Sequence, residues 1–273
     1  MRADDWDERE IETYPRSGRF LANRARRDMA ERHKRILEDA IEEVETIARP
    51  TRVLARGREY NHSTMLIEGY VMRSIDGPTR RHGLSFHVPG DFVDLHCFAL
   101  KRLDHNLDTV GPVTLGYVRH ERLQQIIADE PELARLLWFA TLVDAAIHRE
   151  WIMKLEQLTV PRRVAHLFAE NWYRLRLVGL GDERGFDTPL TQANLAEMVG
   201  ATTIHVNRAI KELRQEELVG FARGRIDIPD LQRLQKYAEF NPDYLYGAAA
   251  FAPFRSGVAG NGGGEGGGDV LTP

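Results

Sequence analysis

Residues 188–230 read TPLTQANLAEMVGATTIHVNRAIKELRQEELVGFARGRIDIPD. Thr191 is placed to cap a helix whose apolar positions are Leu195, Ala196 and Val199, since a hydroxyl just before the first periodic residue accepts from unpaired backbone N–H groups. Gly200 supplies a tight turn, and a second helix opens at Thr202 with Ile204, Val206, Ile210 and Leu213 as packing positions. Two short helices joined by a glycine turn describe a helix-turn-helix. The GFARGRIDIPD that follows describes a β-hairpin turning at Arg223-Gly224-Arg225.

With Val206 and Ile210 inward, Thr203, His205, Asn207 and Arg208 remain on the outside of the second helix. Arginine can bind guanine with two hydrogen bonds and asparagine can bind adenine likewise, while threonine or histidine reaches phosphate or a thymine methyl. The expected DNA-contacting set is Thr191, Gln192, Thr202, Thr203, His205, Asn207, Arg208 and Lys211 on the helices, with Arg223 and Arg225 at the hairpin tip gripping the adjacent backbone. Bulk charge is neutral on the matter, because residues 159–246 hold 12 basic and 12 acidic side chains. Helix pairs with a glycine turn also occur in proteins that never touch DNA.

Upstream, PRRVAHLFAENWYRLRLVG (161–179) predicts a helix with Val164, Leu167, Phe168, Trp172 and Leu175 inward. Before it, Leu133, Leu136, Leu137, Ala140, Val143, Ile147, Trp151, Leu155 and Leu158 recur at steps of three and four from Pro131 onward. So long a stripe predicts a dimerisation helix over 131–160, paired with its copy in a second chain through Leu136, Ala140, Val143, Ile147 and Trp151. Packing on its own domain is the plainer alternative. Residues 36–130 hold short apolar runs cut by turn residues (RVLARG, TMLIEGYVMRSIDG, LSFHVPGDFVDL, VTLGYV), which predict a β-roll, sandwich or small barrel entered by a helix over Arg35–Thr46. Residues 1–35, with ten basic and eight acidic side chains, read as a charged flexible or loosely helical extension. The glycine-rich 247–273 reads as a disordered tail.

The whole chain has 273 residues, 37 basic against 41 acidic, and a net charge of -4. That balance indicates neither a polyanion-coating protein nor an acidic solubility tail. A single cysteine, Cys97, excludes an internal disulfide, a four-thiolate zinc site and an iron–sulfur cluster held by this chain's own thiolates. It favours a cytoplasmic location, and no uncharged apolar run approaches a membrane span.

The order of β-roll, long dimer helix and C-terminal winged helix-turn-helix resembles the Crp/Fnr family of bacterial transcription regulators over roughly residues 36–240. The matching stretches are MLIEGYVMRS (65–74), VPGDF (88–92), PRRVAHLF (161–168), and LTQANLAEMVGATTIHVNRAIKEL running on through LVGFARGRIDIPDLQRL. The fold class expected is thus α+β, with an N-terminal jelly-roll-like domain of the cyclic-nucleotide-binding type. The resemblance implies a homodimer on a palindromic promoter site in double-stranded DNA, with one recognition helix per half-site and RNA polymerase as a possible further partner.

Departures from the family pattern carry as much information. Members that bind cyclic AMP look like P-G-D-x-x-G-E followed by an Arg-Ser/Thr-Ala run, whereas PGDFVDLH (89–96) lacks the Gly-Glu step and Asp94 is at best a displaced substitute. Where the arginine should fall stands LDHNLDTV, with Asp104 and Asp108 facing an anionic phosphate. No cyclic AMP binding is expected. His62, His82, His87, His96 and His105 lie in the roll without a ligand-like spacing, so no metal site is expected, and haem or another effector is left open. Family members often place an acidic residue where Ile204 stands, so the target sequence should differ from the family's usual one.

Two alternatives of different class remain at this point. One is an effector-gated sensor whose roll binds a small molecule, haem or gas and passes the signal through the long helix to a hinge near Thr159–Pro161. The other is an enzyme on a cupin-like domain, which lacks a metal triad or nucleophile–base spacing and leaves the helix-turn-helix without a purpose.

Overall fold

The computed structural model describes residues 8–222 and 224–247, so the glycine-rich tail after 247 and Arg223 lie outside the described residues. The roll consists of two antiparallel sheets. One has the order β1-β7-β3, from Glu43–Ile47, Val113–Arg119 and His62–Glu68. The other has the order β2-β6-β4-β5, from Arg52–Leu54, Asn106–Thr109, Val71–Asp76 and Arg81–His87. Leu66, Val71, Leu107 and Leu115 fill the space between them. A short helix α3 (Cys97–Leu100) leads toward β6.

Two local expectations change. The helix entering the roll, α2 (Glu31–Ala40), stops six residues before Thr46, and Val44 lies exposed in β1. In GluValGluThrIle the alternation that suits an edge strand also fits a helical face, and pairing with β7 decides it. The polar NLDT of β6 is buried at all four positions. Asp108 there is satisfied by Arg52, Arg81 and the Ser74 hydroxyl.

Residues 8–35 are not a loose extension. After α1 (Glu8–Thr13), Phe20, Leu21, Ala25 and Met29 bury in one cluster with Met65, Phe92, Leu123 and Leu137. The Phe20 ring meets Phe92 edge-on at 5.7 Å. The charges that suggested flexibility pair among themselves: Glu10 takes both Arg26 and Lys34, and Glu38 accepts from the backbone N–H and hydroxyl of Ser17. The strap passes so close to the Val88–Phe92 turn that a Cβ at Gly90, at φ +94, would collide with the Arg19 carbonyl.

Helices α4 (His120–Asp129), α5 (Pro131–Gln157) and α6 (Val160–Leu177) follow. The stripe assigned to a second chain is occupied within this one. Leu136 and half-buried Ala140 pack in the strap cluster, and Val143 and Ile147 join the core shared with α6. Trp151 donates its indole N–H to Glu170 at 3.1 Å. α5 carries a second apolar stripe, and Trp138, Leu142, Ile152, Met153 and Leu155 are the large side chains left exposed on it. Periodicity cannot say which of two stripes faces inward; docking of the roll and α6 takes the first.

The roll and the C-terminal region share a continuous core through Met72, Phe86 and Val88 on one side and Phe168, Leu195 and Met198 on the other. Arg174 of α6 spans the junction, donating to the Phe86 carbonyl at 2.6 Å and to Asp91 at 2.6 Å. Burial by itself would push the Asp91 carboxyl up, but the Arg174 guanidinium and the hydrogen bond to His87 outweigh it and hold it down, at about 2.

Phe20→Ala is expected to lower the unfolding free energy by about 3–5 kcal/mol, as for a buried aromatic, in urea titrations of the full chain. A change within about 0.5 kcal/mol would mean that the strap is loosely attached. Asp91 has a folded pKa below its unfolded value, so the stability it contributes is complete above about pH 4 and is lost as pH falls toward 2. The advantage of the native protein over Asp91→Asn should shrink across that window in chemical unfolding.

Candidate nucleic-acid interface

The C-terminal domain is built on α6, with α7 (Gln192–Met198), α8 (Thr203–Gln215) and α9 (Leu231–Ala238) packed on or around it. Thr191 caps α7 in a reciprocal box: Asn194 N–H donates to its Oγ1 at 3.2 Å, and its own N–H donates to Asn194 Oδ1 at 3.1 Å. Gly200, at φ +65, makes the turn. Thr202 caps α8 by accepting from the His205 N–H at 3.3 Å. Arg163 locks this unit to the α5–α6 joint, donating to the carbonyls of Leu158 at 2.8 Å and Val199 at 3.0 Å.

Val206, Ala209, Ile210 and Leu213 form the buried side of α8. Ile204 does not join them: it is 65% exposed, on the same side as the polar residues. Thr203, His205, Asn207, Arg208 and Lys211 are all exposed, so the second helix presents a continuous outer face. Asn207 Nδ2 donates to Gln192 Oε1 at 3.0 Å, which brings the start of α7 onto that face. Arg208 and Lys211 make no ion pair among the described residues and keep their charge available.

The hairpin of β10 (Gly220–Ala222) and β11 (Arg225–Asp227) extends into a four-stranded sheet with β9 (Gly185–Asp187) and β8 (Gly181–Asp182), in the order β10-β11-β9-β8. Here one expected contact changes. Arg225 is not a cation projecting from the tip but lies between three carboxylates, Asp182 at 2.5 Å, Asp227 at 3.0 Å and Asp187 at 3.3 Å. The Asp182–Asp187 hairpin that supplies two of these acids was not anticipated from the sequence, although its DERG turn signal stands there. Arg223 lies outside the described residues.

The domain is docked on its own roll through α7. Arg81 of β5 pairs with Glu197 at 2.9 Å, and Arg80 donates to the Ala201 carbonyl at 2.6 Å. Tyr70 donates to the Asp187 carbonyl at 2.8 Å. These contacts use the far side of α7 and the turn and leave the outer face of α8 open.

Residues 162–237 match the Crp-like helix-turn-helix domain. A probable transcriptional activator of Rhizobium leguminosarum bv. viciae is 30% identical over 121 residues, 42% of this chain and 48% of that protein. The nitrogen fixation regulation protein FixK of Bradyrhizobium diazoefficiens is 24% identical over 160 residues, 58% of this chain and 66% of that protein. The chain thus spans less than two thirds of the length of these two relatives. Among solved structures, FixK2 of Bradyrhizobium japonicum superposes with a TM-score of 0.65 at 19% identity, covering 71% of this chain and 96% of that one. No helix among the described residues is long and apolar enough to cross a membrane. A β-roll, a 27-residue helix and a Crp-like helix-turn-helix thus follow one another in this chain, and its similarity to regulators of the FixK and FnrL type supports a regulator of the Crp/Fnr kind.

Proposed function

We propose that the protein is a sequence-specific, DNA-binding transcription regulator that acts as a homodimer and does not use cyclic AMP. The observation that carries the reading is the outer face of α8, where Thr203, Ile204, His205, Asn207, Arg208 and Lys211 stand exposed on a helix whose other side is fully buried. A helix so presented fits the major groove, with Asn207 and Arg208 suited to base edges and Lys211 to phosphate. The caps Thr191 and Thr202 put the N-termini of α7 and α8 beside the backbone. Arg225, neutralised by its three acids, adds little net charge to the wing.

A second copy fits the exposed stripe of α5. Trp138, Leu142 and Ile152 fall at helical positions compatible with a seam and need cover that the described residues do not give. Two recognition helices would then address the halves of a palindromic site.

The charges of the roll support the absence of cyclic AMP. Asp94, the displaced substitute for the ribose ligand, is fully buried; burial pushes its carboxyl up, to about 7, against hydrogen bonds from the backbone N–H and hydroxyl of Thr64. Arg73, buried in the roll on β4, is committed to Asp144 at 2.6 Å and to the Val93 carbonyl at 2.8 Å.

Arg208→Ala should weaken binding to a selected operator by about 1–3 kcal/mol and relax preference at one base pair per half-site, read by gel shift and by selection from random DNA. Equal weakening on all sequences would make Arg208 a phosphate contact instead. Trp138→Asp combined with Leu142→Asp should give folded monomers in sedimentation velocity with reduced operator affinity. A persistent dimer would place the seam elsewhere.

A further inference from the structure

His96, at the start of α3, and Asp104 and His105, just before β6, have no local spacing that suggests a site. The fold nevertheless gathers them, so that one ligand atom from each lies within 4.8 Å of the others. The two imidazole rings are 5.2 Å apart and tilted by 47°. His105 is 3% exposed, and its two nitrogens differ sharply in their surroundings. Nδ1 lies 2.6 Å from Asp104 Oδ1, while Nε2 is buried without any hydrogen-bond partner.

A neutral imidazole that donates its Nδ1–H to a carboxylate keeps a lone pair on Nε2. A buried nitrogen lone pair with nothing to accept from is an uncommon and costly arrangement. An imidazole with a carboxylate on one nitrogen and an open lone pair on the other is how metal-ligating histidines are usually oriented, because the carboxylate fixes the tautomer and raises the basicity of the ligating nitrogen. We propose that His96 and His105, the latter through Nε2 and oriented by Asp104, supply the nitrogen ligands of a binding site for a divalent first-row transition cation.

Charge and chemistry fit this ligand class. The nearest cation, Arg73, is cancelled by Asp144, which leaves Asp104 as the uncompensated negative charge beside the two imidazoles. Two imidazole nitrogens, one of them backed by a carboxylate, suit zinc, cobalt or nickel, whereas magnesium and calcium require a shell of oxygens. His96 is partly exposed, so water or an exchangeable ligand can reach the cation from its side. The site is independent of DNA binding and stands or falls separately from it.

The test is a titration of the metal-stripped full chain with cobalt(II) alone, followed by zinc competition, with magnesium as the control ion. One equivalent per chain should develop visible d–d absorption that zinc abolishes and magnesium does not. Affinity should fall about 100-fold in His105→Ala and His96→Gln and about tenfold in Asp104→Asn, while His62→Ala on the other sheet leaves it unchanged. Circular dichroism identifies any variant that fails to fold; should His105→Ala do so, the half-exposed His96→Gln and the exposed Asp104→Asn decide. No saturable signal at micromolar cobalt, or equal binding in all the variants, would overturn the proposal.

Discussion

A guanidinium removed from water must be met by carbonyls and carboxylates on every side, and Arg174 is buried where the two halves of the chain join. Its partners are the Phe86 carbonyl at the end of β5, Asp91 in the turn that follows and, at 3.6 Å, Glu170 one turn back on α6. Those partners hold the roll at one orientation to α6, and α6 is the platform for the helix-turn-helix. The strap closes over the same place: Arg19 donates to the Val178 carbonyl at 3.3 Å and Asn23 to the Leu177 carbonyl at 2.8 Å. Glu170 meanwhile gathers Trp151 and Tyr244, so the long helix and the C-terminal end converge on one buried acid. The orientation of the helix-turn-helix relative to the roll is therefore specified by hydrogen bonds of fixed direction, with apolar packing filling the space around them.

The helix-turn-helix was legible because its signals are local. The caps at Thr191 and Thr202 and the turn at Gly200 each act within four residues, and Val206, Ile210 and Leu213 bury as their spacing requires. Ile204 escaped that reading because an apolar side chain on an amphipathic helix is ordinarily inward, and nothing local marks it as belonging to a contact surface. The strap escaped for the opposite reason. Its charged residues outnumber Phe20, Leu21 and Met29, and their pairing through Glu10 and Glu38 is visible only after the chain has turned back on itself. The seam of α5 shows a third kind of limit, since two apolar stripes share one period and only the tertiary partner selects between them. Likewise Arg225 has one acid two residues away, but the other two arrive from a separate hairpin.

Paired charges hold the roll from within. β6 carries Asp108, which serves as a structural acid for Arg52, Arg81 and Ser74, where the family resemblance leads one to expect a phosphate-binding run. Arg81 serves two partners at once, Asp108 within the roll and Glu197 on α7, so the same side chain that stabilises the sheet touches the DNA-reading domain. An event that altered the electrostatics of this sheet would be felt at α7 through one side chain.

The strap has one further consequence. Arg24 donates to the carbonyl of Leu245 at 3.0 Å, across a separation of 221 residues in the chain. The Arg24 guanidinium has this partner only when two stretches 221 residues apart have been brought together. Closing a loop of that length costs chain entropy, so the clasp depends on the packing of everything between its two ends, and loosening the core shared by the roll and α6 would release it.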